Sequence, residues 1–451
     1  MKVGLMLEVQ QERLASIKLI TEDRAEISMV DKIWIMNHYA TDMFYNKAGR
    51  HYWFAKELKS RGNEVTVFCA TTFLNKSDVI DTGKERCIVK ETEGIPFVFV
   101  KTRPSVGNGI DRVFNMYLFY RNLIPVALKY AKEQGKPDAI IASSVHPLTM
   151  VAGIRIAKKL GVPCICEIRD LWPEAIFSFG KAKEKSLLGK VLIKGEHWIY
   201  KNANALIFTK EGDTDYLKEK GWTSVQGGNI DLEKCHYINN GINLEDYITQ
   251  INTQTLNDDD LNENKFNVIY AGTIRPVNNV ANLLETAKII NRKGYDDIQF
   301  LIYGDGMQRQ QLEKQVEDEK IDNVKFKGFV EKKYIPYVLS KSNINLLNYS
   351  QNHYNWSRGN SSNKLFEYMA SGKPVISTVR MGYSIINKYQ CGIELENDTP
   401  QCLAEAIIHF YEMDSAKYDQ YGENARIGAE DFDFKKLTDK LQAVIDEVRE
   451  K

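Results

Sequence analysis

Residues 267–303 read NVIYAGTIRPVNNVANLLETAKIINRKGYDDIQFLIY. An apolar run, Asn267–Ala271, leads into a glycine turn, then a stretch with helical spacing over Val280–Lys293, then a second apolar run, Ile298–Tyr303. Apolar runs without alternation mark strands covered on both faces, and a helix between two of them implies a parallel pair with a right-handed crossover. The rhythm continues downstream with strands expected at Val324–Lys327, Ile344–Leu347 and Pro374–Ser377, and helices at Met307–Glu319, Lys333–Ser340 and Asn363–Ser371. It also runs upstream, with strands expected at Lys32–Asn37, Glu64–Ala70, Asp138–Ser143, Val162–Glu167 and Ala205–Phe208, and helices at Gly49–Ser60, Leu148–Leu160 and Leu187–Lys201. Between the two series the polar stretch Asp246–Lys265, with its cluster Asp258-Asp259-Asp260, is expected to be a solvated linker or surface loop.

Two such series imply an α/β protein of two Rossmann-like, doubly wound domains facing across a cleft. The first spans residues 32–235 and the second 236–433; an amphipathic helix over 434–451 is expected to pack back on the first, and residues 1–31 take no assignment. A chain of 451 residues is long enough for two cores. Its 60 basic and 60 acidic residues give a net charge of +0, which speaks against a nucleic-acid partner, because meeting phosphates needs a basic field. Seven cysteines without a Cys-x-x-Cys pair suit a reducing compartment. Cys164 and Cys166 are expected on opposite faces of their strand. No apolar stretch reaches the roughly 18–20 residues of a spanning helix, and Met1–Glu8 is too short and too acidic for a secretory signal. A cytoplasmic protein is expected, with peripheral membrane contact open to it.

Ligands of such sheets bind at the carboxyl ends of the strands, and there the informative residues gather. In Gly359-Asn360-Ser361-Ser362-Asn363-Lys364-Leu365-Phe366-Glu367, small polar residues lead into a helix that Ser361 or Ser362 can cap; Gly372 and Pro374 end it. The free N–H groups of its first turn suit a diphosphate. Lys364 and Glu367 share a face three residues apart, a cation for phosphate beside an acceptor for ribose hydroxyls. The plain alternative is a capped surface helix with a solvated Lys–Glu pair. Gly272 and Thr273 follow a strand, with Arg275 suited to bidentate phosphate contact. Gly49 and Arg50 offer a similar loop in the first domain. Arg169 and Asp170 appear abruptly at the end of an apolar strand, and Asp170 can orient or deprotonate an acceptor hydroxyl. His38 and His146 also end strands. No metal site is apparent, and neither Gly-x4-Gly-Lys-Ser/Thr nor Gly-x-Ser-x-Gly occurs. Over Arg112–Lys132, aromatic and apolar residues such as Phe114, Tyr117 and Tyr120 alternate with Arg112, Arg121, Lys129 and Lys132; this is either a core helix or a surface for anionic lipid.

In order along the chain, Tyr237-Ile238-Asn239-Asn240-Gly241-Ile242-Asn243, Tyr270–Gly272, Tyr303-Gly304-Asp305-Gly306, Asn323–Val330 and Lys364–Pro374 resemble the retaining GT-B enzymes of glycosyltransferase family 4. Arg169-Asp170-Leu171-Trp172-Pro173-Glu174 and Ser362–Met369 are similar to its bacterial surface-polysaccharide branch, the N-acetylfucosaminyltransferase-like enzymes. The resemblance implies a metal-independent transferase with a nucleotide-sugar co-substrate, a UDP-sugar, and no further cofactor. It implies that Glu367 holds ribose as the second glutamate of the E-x7-E motif, and that the base lies beside Phe329 and Val330. Lys364 and Arg275 then face the diphosphate, and Gly272, Thr273, Gly359, Asn360, Ser361, Ser362 and Asn363 complete the donor site. The first domain takes the acceptor, with His38, Gly49, Arg50, His146, Arg169 and Asp170 on that side. If the Arg112–Lys132 stretch is a lipid-facing surface, it can present a polyprenyl-diphosphate-linked saccharide as acceptor at the cytoplasmic face of the inner membrane. The chain departs from the family in two places: Gly359 stands where the motif has its first glutamate, and Thr273 and Asn278 stand where it has an arginine–lysine pair. A GT-B UDP-sugar epimerase and a catalytically degenerate sugar-nucleotide binding subunit are the competing readings.

Overall fold

The structure, a computed structural model, describes residues 31–451 except 108, 145, 179, 181, 182, 262, 263 and 352–354. The unassigned stretch 1–31 therefore lies outside the described residues but for Asp31.

Strands β1 (Lys32–Met36), β2 (Glu64–Ala70), β3 (Cys87–Thr92), β4 (Ile95–Val100), β5 (Ala139–Ser143), β6 (Cys164–Ile168), β7 (Ala205–Phe208) and β8 (Cys235–Tyr237) form an eight-stranded sheet in the order β3-β4-β2-β1-β5-β6-β7-β8. Strands β9 (Phe266–Ala271), β10 (Ile298–Tyr303), β11 (Val324–Gly328), β12 (Ile344–Leu347), β13 (Val375–Ser377) and β14 (Gly392–Glu394) form a six-stranded sheet in the order β11-β10-β9-β12-β13-β14. The pairing is parallel except between β3 and β4. Burial explains the unbroken apolar runs. Ile33 and Ile35 pack under the helix Arg50–Ser60, while Trp34 and Met36, on the other face, pack with Phe119, Ala152 and Ile156. With both faces covered, no position of β1 is left for a polar residue to alternate into.

Several elements lay beyond the sequence rhythm. β3 and β4 form an antiparallel hairpin turned at Glu93 and Gly94, both at positive φ (51° and 72°), the geometry of a tight two-residue turn. The short edge strands β8 and β14 were not anticipated either, and β8 carries the first sheet past residue 235. Two further expectations are corrected. Cys164 and Cys166 share one face, because side chains two apart on a strand point the same way, and both sit in the same core cluster. The Asp246–Lys265 stretch is a surface connection only in part: it begins inside the helix Leu244–Thr253, and of its acidic cluster only Asp259 is exposed. Asp258 and Asp260 are nearly covered, pair with Lys327, and receive Tyr303 and Lys325 respectively. The closing helix Phe434–Glu450 lies on Arg50–Ser60 of the first domain, with Phe434 against Phe54 at 5.3 Å, Arg61 pairing with Asp439 at 2.8 Å and Asn63 donating to Gln442 at 3.1 Å.

Candidate active site

On the second domain the site starts where β9 ends. The turn at Gly272 faces the first turn of the helix Asn363–Ala370. Ser362 is the N-cap residue, in extended conformation, yet its hydroxyl does not cap; it accepts from Tyr349 Oη at 2.9 Å. Among the described residues nothing accepts from the backbone N–H groups of Asn363 and Lys364. The side-chain cap expected from the sequence is thus missing, and two donors at the positive end of the helix stay open to an anion. The Lys364 ammonium lies 4.9 Å from the centres of both the Tyr270 and Tyr349 rings. A Cβ on Gly272 would come within 2.9 Å of it, so glycine is what lets the lysine lie against the turn. Burial and then Arg275 push Lys364 down to about 7, with Glu367 opposing. Arg275 itself is exposed, and its Nε donates to Asn278 Oδ1 at 3.2 Å; Thr273 is exposed beside it.

Glu367 lines a cleft of about 620 Å³ between the domains, with Asn363 and Phe329 beside it and Gly49 and Arg50 opposite. Its carboxylate pairs with Lys332 at 2.9 Å, a partner from another element that the helix alone could not announce. Phe329 is 72% exposed, a bare ring at the wall, and Val330 is half-buried behind it. Gly304 is pressed against the carbonyl of Gly272, where any Cβ would collide, so the Gly304–Gly306 turn packs on the Gly272 turn.

The loop before the helix is held from the segment that joins the domains. Asn239 Nδ2 donates to the Asn360 carbonyl at 2.9 Å, and Asn240 Nδ2 donates to that of Ser361 at 2.6 Å. Gly359 has φ 96°, with the nearest foreign atom to a Cβ at 3.4 Å. There is room for a side chain; the backbone conformation, costly for any L-residue, is what keeps the position glycine.

Across the cleft, Arg50 is buried and already committed. Its guanidinium donates to Glu167 at 2.7 Å and to the carbonyls of Ile238 and Asn239, so it braces the strand end and the interdomain segment and does not present a free phosphate loop. Glu167 also receives His51 at 2.8 Å and Ser143 at 2.6 Å. Burial alone would raise its pKa, but Arg50 and His51 hold it well below the usual carboxylate range. His38 and His146 meet at 2.6 Å, Nδ1 to Nε2, with no exposed surface on either. Burial and then Arg112 bring His146 to about 3, and burial and then His146 lower His38, so both are neutral. Arg169 is half-buried, its N–H donating to Ser144 Oγ at 3.0 Å. Asp170 is exposed, 3.6 Å from Lys210. The structure therefore gathers Gly272, Asn363, Lys364, Glu367 and Phe329 into one wall, while the histidines and Arg50 lie beneath the opposite one. Among the described residues no group of three or more His, Cys, Asp or Glu is placed to hold a metal ion.

Two covered sheets, a cleft at their carboxyl ends and a lysine–glutamate helix start within it are the features of a GT-B nucleotide-sugar enzyme. Residues 50–230 match the family described as Glycosyl transferase 4-like domain, and residues 253–427 match Glycosyl transferases group 1. The chain is a GT-B glycosyltransferase of the family 4 type. It is similar in fold to sucrose-phosphate synthase from Thermosynechococcus elongatus (16% identity, 92% of this chain and 98% of that chain, TM-score 0.64). It is also similar to Anabaena HepE in complex with UDP (14%, 93% and 100%, TM-score 0.61) and to WaaG, a glycosyltransferase involved in lipopolysaccharide biosynthesis (14%, 92% and 99%, TM-score 0.60). No curated protein matches the chain significantly.

Proposed function

We propose that the protein is a retaining, metal-independent transferase that moves a sugar from a UDP-sugar to a hydroxyl of a polyprenyl-diphosphate-linked saccharide. The donor is a UDP-N-acetylhexosamine or its 6-deoxy relative, as the similarity of the Arg169–Glu174 stretch to that branch suggests. The observation that carries the reading is the Lys364 ammonium held over Gly272 beside two open backbone N–H groups, with Glu367 one turn on. The base stacks at Phe329, ribose takes Glu367 from Lys332, and the diphosphate meets the helix start, Lys364 and Arg275. The bond from the anomeric carbon to the diphosphate breaks while the acceptor oxygen bonds that carbon on the same face. The acceptor proton passes to the departing UDP, with Asp170 orienting the hydroxyl. Charge develops on the leaving diphosphate, where fixed donors are most effective. That HepE was solved with UDP supports the choice of nucleotide.

The acceptor side carries two exposed apolar patches. Ile110, Val113, Phe114 and Tyr117 begin the helix Ile110–Gln134, and Leu187, Leu188 and Val191 begin the helix Leu187–Asn202. The connections after β4 and β6 place both helix starts at the cleft edge of the sheet, and Arg121, Lys185, Lys190 and Lys194 are exposed on the same segments. The Arg112–Lys132 stretch thus divides: Met116, Phe119 and Leu123 are core, and its first turns are bare. Apolar and basic surface in this combination seats a protein on anionic lipid, and among the described residues no helix is long and apolar enough to cross a membrane. Flotation with vesicles containing phosphatidylglycerol tests this, and a protein that stays at the bottom of the gradient removes the membrane contact. For the transferase reading, Lys364→Ala is expected to cut turnover by about 100-fold or more with the fold intact; near-normal turnover would refute it. Donor turnover without acceptor would favour the epimerase, and donor binding without transfer to any acceptor the degenerate subunit.

A further inference from the structure

The helix Leu244–Thr253 is the second domain's first, and two of its side chains reach the cleft without a part in the reaction so far. Asp246 and Gln250 stand four residues apart on one helical face, and both line the cavity that holds Glu367, Lys332 and Phe329. The helix packs on the turn Lys332–Tyr334 and on the helix Ile335–Ser340, the elements that follow Phe329 and Val330. Asp246 acts electrostatically on Lys332, so this face stands across from the stretch where the base is placed. Gln250 Nε2 donates to Asp246 Oδ2 at 2.7 Å. An amide can turn over and exchange its oxygen for its nitrogen, but a carboxylate only accepts, so Asp246 fixes which end is which. That leaves Oε1 and the second Nε2 hydrogen. Among the described residues neither meets a protein partner, and Gln250 is only half-buried, with Oε1 not sealed from the cavity. A donor and an acceptor are thus held side by side, in a fixed order, on the wall of the nucleoside pocket.

We infer that Gln250, locked by Asp246, reads the edge of the donor's base and selects uracil over cytosine. Uracil presents an acceptor, O4, beside a donor, N3–H. Gln250 Nε2 donates to O4 while Oε1 accepts from N3–H, two bonds in one plane. Cytosine reverses both groups: its N4 amino group donates and its N3 accepts, so donor faces donor and acceptor faces acceptor. The lock is what makes the pair selective, because a free amide would turn over and suit either base. Discrimination then comes from the repulsion built against cytosine as much as from the bonds made to uracil. Thymine shows the same edge as uracil, so the pair separates UDP from CDP and not from TDP. Phe329 takes the face of the base and Gln250 its edge.

The inference rests on the donor being a nucleotide sugar, and the test separates the two. Calorimetric affinities for UDP, CDP, TDP and GDP are measured for the wild type, Gln250→Met and Asp246→Asn. The wild type is expected to bind UDP about tenfold or more tighter than CDP, because a mismatched edge leaves polar groups unpaired. Gln250→Met keeps the length of the side chain without its polar atoms. It should weaken UDP about tenfold and bring UDP and CDP within about threefold of each other. Asp246→Asn keeps Gln250 but frees it to turn, so UDP should stay within about threefold while CDP tightens and the ratio falls. Should Gln250→Met misfold, Asp246→Asn carries the same expectation for the ratio. A wild type that binds CDP or GDP as tightly as UDP, or an unchanged UDP-to-CDP ratio in the folded variants, overturns the role of Gln250. A wild type that binds none of the four nucleotides overturns the nucleotide-sugar reading beneath it.

Discussion

A lysine partly stripped of water is a weak cation until an anion joins it, and Lys364 is set up in that way. Its pKa of about 7 in the empty site reflects burial and then Arg275, against Glu367. A bound diphosphate restores the usual value, so UDP binding should take up a proton between about pH 7 and 10. UDP affinity should then fall as pH rises through that window. Calorimetry in buffers of different ionisation enthalpy reads the proton directly, and uptake of none at pH 8.5 would contradict the arrangement. The same lowered pKa means the unfolded chain binds the proton more readily than the native one. The stability penalty is therefore complete below pH 7 and disappears as pH rises toward the unfolded value. Lys364→Met should stabilise the unliganded protein at pH 6.5 by about 1–3 kcal/mol, seen in urea unfolding, and abolish the extra stability UDP confers. Lys332 makes the opposite case. It occupies Glu367 through an ion pair whose lysine end is exposed and screened, worth no more than about 1 kcal/mol. Lys332→Ala should tighten UDP binding up to about fivefold; weaker binding would show that Lys332 belongs to the ligand and not to the empty state. The Lys364–Glu367 face was legible in the sequence because three-residue spacing on a helix is a local rule. Lys332 was not, because it arrives from the turn after β11, 35 residues before Glu367 in the chain.

Loops and short elements carry the next level, and here glycine does two different jobs. Gly272 is glycine for space, since a Cβ meets the Lys364 ammonium; Gly359 is glycine for its φ of 96°, with space to spare. The two should respond differently to alanine. Gly272→Ala is expected to leave stability within about 1 kcal/mol, because the far end of a long side chain can move, while UDP affinity drops about tenfold. Gly359→Ala is expected to cost about 1–2 kcal/mol through backbone strain with UDP affinity nearly unchanged. Paired measurements of melting and UDP binding decide it, and a matched loss of both in either variant would undo the distinction. From the sequence the two look alike, each a glycine beside small polar residues. The family resemblance flagged position 359 only as a missing glutamate; the reason no glutamate fits comfortably there is a torsion angle, which sequence does not display. The Glu93–Gly94 hairpin went unnoticed for a related reason. Its strands Cys87–Thr92 and Ile95–Val100 interrupt the strand–helix rhythm, and Cys87–Thr92, an exposed edge strand, carries no continuous apolar run.

At the scale of the molecule, both sheets were readable because double-sided burial writes itself into the chain as unbroken apolar runs. What ties the domains together was not, because it joins residues far apart in sequence whose types are unremarkable singly. Arg358 is the clearest case. It extends from the second domain, is 4% exposed, and donates to Glu219 at 2.7 Å and Glu174 at 3.2 Å on the first. It lies one residue from Gly359 and over the ring of Tyr216, so the same contact that holds the domains together also places the donor loop. Asn239 and Asn240 fix that loop from the interdomain segment, and Arg50 and Glu167 brace Asn239 in turn. Domain approach and donor-loop geometry are thus one event. Arg358→Ala removes the bridge while leaving Lys364, Glu367 and Phe329 on their own domain. UDP, held on that domain, should bind within about twofold of wild type, whereas kcat/KM for transfer should fall about tenfold or more, because water is no longer excluded and the acceptor is misplaced. Small-angle X-ray scattering should show a wider mean separation of the domains in the variant. If scattering and turnover both match the wild type, the Arg358 ion pairs have no part in domain approach or transfer. If turnover falls with no change in domain separation, its work is confined to the loop.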